Sequence, residues 1–262
     1  MKIRWWFIGV LCITTVVVIF LICNISYELN SETQRIRQGQ RIDETKSENS
    51  EPETSNLKPE PRRARQRQTF CLVNILDVDS TIFIDLKYAT TDNFTGMVLY
   101  EDFSEAYLQA DVMQMLADAH RYLKSLHPDL RLLVYDAARP LSVQRKMWEC
   151  VKDTKYSRYV AHPDRLSLHN FGAAVDLTLA NNLGQPLDMG TPFDFFGRAA
   201  GINDEQELIA QGILNHQQVQ NRQLLRQVMH HAGFRSISGE WWHFNACSLQ
   251  EAKQRYTVIS DF

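Results

Sequence analysis

Between Trp5 and Cys23 the chain runs for 19 residues without a charged side chain, and Lys2 and Arg4 stand immediately before the run. A helix crosses a bilayer core with about 20 apolar residues, so this segment is long enough to span a membrane and is unavailable to a globular core. A cleaved signal peptide would have a shorter apolar region and a small-residue cleavage site, and Ile22 before Cys23 is too bulky for lipoprotein-type processing. The expected element is an uncleaved transmembrane signal anchor over residues 1–27. Basic residues collect on the cytoplasmic side of a span, so Lys2 and Arg4 favour a cytoplasmic start, whereas Arg35, Arg37 and Arg41 count against it. The expectation is a single-pass protein of the inner (cytoplasmic) membrane, tethered through its N-terminal helix, with its remaining domain periplasmic.

Residues 28–68 change character abruptly. From Asn30 to Gln68 there is no aromatic side chain, almost no large apolar one, and prolines recur at Pro52, Pro59 and Pro61. Such a composition cannot bury enough surface to fold. It reads as a disordered linker with a root-mean-square reach of roughly 35 Å. The basic cluster Arg62 to Arg67 shares this linker with Glu44, Glu48, Glu51, Glu53 and Glu60, which makes a solvated polyampholyte of it. A net charge of −3 gives no reason to look for a nucleic-acid partner.

Residues 69–262 suit one globular domain. Cys71, Cys150 and Cys247 fall within it, an odd number that allows at most one internal disulfide, and none belongs to a CxxC pair. CLVNIL and TIFIDLKYA are short β-branched runs that predict strands. Apolar residues at Leu108, Val112, Met115, Ala119, Leu123 and Leu126 predict an amphipathic helix over Tyr107–Leu126, ended by Pro128. RLLVYD predicts a strand, Arg139 and Pro140 open a second helix to about Val151, and GAAVDLTL predicts another strand. Gln217–Ala232 predicts a helix with Gly233 at its C-terminal cap, and FRSIS and WWHFN predict closing strands. With no βαβ repeat, the expected class is α+β, with a mainly antiparallel central sheet flanked by helices.

Within this domain, SLHNFGAAVD (Ser167–Asp176) and EWWHF (Glu240–Phe244) read together as a split zinc site. Two imidazoles, His169 and His243, and the carboxylate of Asp176 suit Zn²⁺, and three protein ligands leave a fourth tetrahedral position to water. Glu240 stands three residues before His243, where a carboxylate can act as the base. Asp176 sits inside an apolar run where an unpaired charge is costly, and metal coordination removes that cost. The competing reading is a buried acid paired with an arginine. In a regular strand Glu240 and His243 would point to opposite faces, so convergence requires Glu240 to lie in a turn after Ser238 and Gly239 or at a bulge. Trp241, Trp242 and Phe244 supply core in either reading.

These segments, together with DLKYATTDNFTG (Asp85–Gly96), YDAARP (Tyr135–Pro140) and MGTPFDFF (Met189–Phe196), resemble the zinc D-alanyl-D-alanine dipeptidases of the VanX type. That family shares a fold group with zinc D,D-carboxypeptidases and the Hedgehog signalling domain. The resemblance runs over nearly all of Cys71–Phe262, with the motifs in the same order. It implies one Zn²⁺ held by His169, Asp176 and His243, with Glu240 as catalytic base and Arg139 stabilising the developing oxyanion. It further implies a small substrate pocket lined by Tyr88, Ser167 and Asp194, with Asp194 facing the substrate ammonium. The implied substrate is a small D,D-dipeptide, D-alanyl-D-alanine, and the implied setting is peptidoglycan metabolism. A carboxypeptidase or endopeptidase acting on stem peptides, or a zinc-containing domain that binds wall peptide without cleaving it, fits the same motifs. Taken without the resemblance, Arg139 reads as a surface residue at a helix entry.

Overall fold

The computed structural model describes residues 72–101 and 103–262. The expected anchor (1–27) and linker (28–68) lie outside the described residues. Among the described residues no helix is long and apolar enough to cross a membrane.

The structure is of mixed α and β type. Its strands are β1 (Leu72–Asn74), β2 (Phe83–Ile84), β3 (Tyr107–Gln109), β4 (Leu130–Asp136), β5 (Ala174–Asn181), β6 (Arg235–Ser236) and β7 (His243–Asn245). Its α-helices are α1 (Ile75–Val78), α2 (Ala110–Leu126), α3 (Leu141–Val151), α4 (Glu205–Ala210), α5 (His216–His231) and α6 (Leu249–Arg255). Five strands form one sheet in the order β2-β4-β5-β7-β6. Only β2 and β4 run parallel, and the other three pairings are antiparallel. β1 and β3 make a separate antiparallel pair.

The centre of the sheet follows from composition. β4 and β5 are buried along nearly their whole length, which their unbroken apolar, β-branched runs permit. α2 presents Val112, Met113, Leu116, Ala119 and Leu123 to the core at spacings of three and four, and it packs against β4 and α5. It ends at His127, whose backbone (φ −138°, ψ +87°) has left the helical region, which is disfavoured for a residue before proline.

Three sequence expectations change at their edges. CLVNIL is a strand only to Asn74, whose side chain accepts the Leu76 amide and caps α1. In TIFIDLKYA only Phe83–Ile84 pairs in the sheet, and Lys87–Ala89 coils into a 3₁₀ turn. The expected helix over Tyr107–Leu126 begins instead at Ala110, because Tyr107–Gln109 pairs with β1. α4 and α6 are additional helices, and the rest follow the pattern read from the chain, including Gly233 just beyond α5 at φ +91°. Cys150 and Cys247 are both free thiols.

Candidate metal centre

Antiparallel pairing of β5 with β7 sets Asp176 directly opposite His243, so both side chains project from the same face of the sheet. The third donor, His169, arrives on a 3₁₀ turn, Leu168–Phe171. Ser167 caps that turn by accepting the His169 amide at 3.3 Å. Gly172 closes it in a left-handed backbone, φ +64°, where a Cβ would meet Leu72 Cδ2 at 2.8 Å. The turn is docked on the residues after β4: the Arg139 amide donates to His169 O at 3.0 Å, and Asn170 Nδ2 donates to Arg139 O at 2.9 Å.

His169 Nε2, His243 Nδ1 and Asp176 Oδ1 thereby form a triangle with edges of 3.2, 2.9 and 3.4 Å. Ligands about 2.0–2.1 Å from a tetrahedral zinc stand roughly 3.3 Å apart, so the triangle has the size of one face of such a tetrahedron. The hydrogen-bond partners agree. His169 Nδ1 lies 2.6 Å from Ala137 O and His243 Nε2 lies 2.8 Å from Asn245 Oδ1, acceptors that would hold a proton on each outer nitrogen and free each inner nitrogen to face a bound metal. Two imidazole nitrogens and a carboxylate oxygen converging in a buried site is a donor set suited to a cation, and these residues fit zinc. Among the described residues no second such group of His, Cys, Asp or Glu occurs.

The electrostatics express the same concentration of charge. Burial would raise the Asp176 carboxyl, but both histidines outweigh it and hold the group well below the usual carboxylate range. Burial opposes charge on His243, yet the Asp176 hydrogen bond and charge raise it to about 9. Glu240 lies in the connection between β6 and β7 rather than in a strand, so its side chain and that of His243 reach the same cavity. Burial, opposed by the nearby His243 charge, pushes Glu240 up to about 7.

Arg139 is buried, not a surface residue. Its Nε donates to Asp136 Oδ2 at 2.8 Å and its Nη2 to the same oxygen, while Nη1 donates to Gln144 Oε1 at 3.0 Å. Its guanidinium stacks over the Tyr88 ring, 5.0 Å from the centroid. Nη2 also lies 3.5 Å from Asp176 Oδ2. The two readings of Asp176 thus coexist, one oxygen facing the histidines and the other an arginine. Burial disfavours charge on Arg139, but Asp136 more than offsets it, and the guanidinium stays protonated.

Tyr88 OH donates to Asp194 Oδ1 at 3.1 Å, and burial raises the Asp194 carboxyl well above its ordinary range. Asp194 and Leu166 are the non-glycine residues at positive φ among those described, +60° and +63°, and both line the cavity. Backbone strain of this kind concentrates at functional sites. One cavity of about 330 Å³ is lined by His169, Asp176, His243, Glu240, Arg139, Tyr88, Ser167 and Asp194. Its volume lies at the lower end of the range for small-ligand sites.

Sequence reasoning did not single out Asp136, Gln144 or Asn245. Asp136 is fully buried and also accepts Tyr100 OH at 2.6 Å. Its signal was an acid ending the apolar run RLLVY, where burial without a partner is costly.

The peptidase M15 family model, described as D-ala-D-ala dipeptidase, matches residues 68–261. The chain is 34% identical over 191 residues to the D-alanyl-D-alanine dipeptidase of Escherichia coli (strain K12), covering 72% of this chain and 90% of that protein. It is 30% identical over 176 residues to the protein of the same name from Synechocystis sp., covering 56% of this chain and 71% of that one. To that of Enterococcus faecium it is 30% identical over 186 residues, covering 61% and 83%.

Proposed function

The chain belongs to the D-ala-D-ala dipeptidase family, peptidase M15, and from that premise we propose that it hydrolyses D-alanyl-D-alanine to two molecules of D-alanine at a zinc site formed by His169, Asp176 and His243. The observation that carries this reading is the 2.9–3.4 Å triangle of inward-facing donor atoms beside Glu240. Zinc bound there supplies a Lewis acid that polarises the scissile carbonyl and acidifies water.

The chain's own groups do the rest. Glu240, poised near neutrality by burial, accepts a proton from the attacking water and returns it to the leaving amine. Arg139 donates to the carbonyl oxygen as negative charge develops on it. Asp136 and Gln144 fix the guanidinium in advance, so little reorganisation is needed as the reaction proceeds. Asp194, supported by Tyr88, pairs with the substrate ammonium, and Ser167 holds the His169 turn while facing the cavity.

The purified full-length protein should release D-alanine from D-alanyl-D-alanine, lose that activity to a chelator and regain it with Zn²⁺. A Glu240→Ala protein as active as the unaltered one would end the proposal.

For its setting, we propose that the Trp5–Cys23 run anchors residues 69–262 to the cytoplasmic membrane through the linker, with the domain outside the cytoplasm. So placed, it would act on dipeptide released from the wall during peptidoglycan turnover. A periplasm-dependent reporter fused after Gln68 should be active, and a silent fusion would reverse the orientation.

A further inference from the structure

We propose that the packed rings of Phe94, Phe196 and Tyr159 form a fixed roof that confines the substrate to a free dipeptide by closing the cavity just beyond the amino terminus held at Asp194. This rests on the D-alanyl-D-alanine reading above. Phe196 stacks on Tyr159 at 4.8 Å and 6° and packs against Phe94 at 5.0 Å. The three rings come from three separate segments of the chain. Each lines the cavity and each is only half-buried, so the rings stand at the rim between the cavity and solvent.

The roof begins at the ammonium site itself. The Phe94 amide lies 3.5 Å from Asp194 Oδ2, and its ring meets Tyr88, the other partner of Asp194, edge-on at 6.4 Å. A group attached to the substrate nitrogen would therefore run into these rings before reaching water.

The segment that carries Phe196 is also clamped from behind. Arg222, fully buried, donates to Met189 O at 2.6 Å and to Ala199 O at 2.9 Å. Trp241 Nε1 donates to Thr191 Oγ1 at 2.8 Å. With both ends of residues 189–199 tied to buried groups, displacing Phe196 to admit an acyl chain means breaking these bonds. The roof is a wall rather than a flap.

The test compares D-alanine release from D-alanyl-D-alanine with release from N-acetyl-D-alanyl-D-alanine, in full-length protein. In both reactions water adds across the same peptide bond, and the second yields N-acetyl-D-alanine and D-alanine. The ratio of kcat/KM for the acetylated to the free dipeptide should rise at least about 10-fold in Phe196→Ala, because removing the ring opens space for several carbon atoms and each buried methylene is worth about 10-fold or more in discrimination. Phe196→Leu should give a smaller rise. Tyr159→Ala, on a different segment, should move the ratio in the same direction and carries the test should Phe196→Ala fail to fold. An unchanged ratio in variants that melt cooperatively overturns the roof. Failure of the unaltered protein to cleave D-alanyl-D-alanine overturns the functional reading instead, so the two failures are distinguishable.

Discussion

Replacing Glu240 by Gln keeps the outline of the side chain and removes its charge. In the metal-free protein burial raises this carboxyl from 4.5 to about 7, with His243 and Arg139 pulling it down and Asp176 pushing it up. A carboxyl whose folded value lies above its unfolded value penalises the folded state. The penalty grows as pH rises from 4.5 and is complete above about 7. At about 1.4 kcal/mol for each unit, ionising Glu240 costs the fold on the order of 3 kcal/mol. His243 is still charged near pH 8, so the comparison there sets the Glu240 carboxylate against a neutral amide beside the imidazolium. Urea unfolding of chelator-treated protein, followed by tryptophan fluorescence, should therefore find Glu240→Gln more stable near pH 8, with a midpoint higher by on the order of 1 M. Near pH 4 the difference should vanish. The same variant should lose roughly 10²- to 10⁴-fold in D-alanine release. Equal or lower stability of the variant near pH 8, or a gap that persists near pH 4, would refute the reasoning.

Asn245→Leu removes the acceptor that fixes the outer proton of His243, and should weaken zinc binding roughly 10- to 100-fold in competition with a chelating dye. Arg139→Ala should lower kcat by roughly 10²- to 10³-fold. It should also cost about 3–5 kcal/mol in unfolding experiments, because Asp136 is left charged and buried. The double change of Asp136 and Arg139 to Leu should recover stability without recovering activity. Gly172→Ala places a Cβ against Leu72 and forces a left-handed backbone on alanine, a cost of at least about 1–2 kcal/mol that should appear as a melting temperature lower by several degrees.

The residues to which we assign the chemistry were legible because their types are costly without a purpose. Asp176 inside AAVDLTL and His169 ahead of a glycine declared themselves locally, and the fold brings them to His243. Glu240 needed a turn to converge with His243, and the Ser238–Gly239 pair was the visible reason to expect one. What stayed hidden depends on pairing across the chain. Tyr107–Gln109 carries a helical spacing, and only its hydrogen bonds to β1 make it a strand, since β preference is set by neighbours. Arg139 looked like a surface residue because its partners, Gln144 apart, lie at the end of β4, on β5 and in the 3₁₀ turn that carries Tyr88. Asn245 supports a histidine two residues away, a role that exists only once β7 is formed. α6 could have been found locally: Ser248 and Glu251 make a reciprocal cap at its start, and the S-x-x-E spacing announces it.

X-ray absorption at the zinc edge, on full-length protein loaded with one equivalent of metal, examines the triangle on which the chemistry stands. The expected spectrum is that of one zinc per chain bound by two imidazoles and oxygen donors at about 2.0–2.2 Å, with one imidazole lost in His169→Ala. Sulfur in the coordination shell, or a spectrum unchanged by His169→Ala, would contradict it.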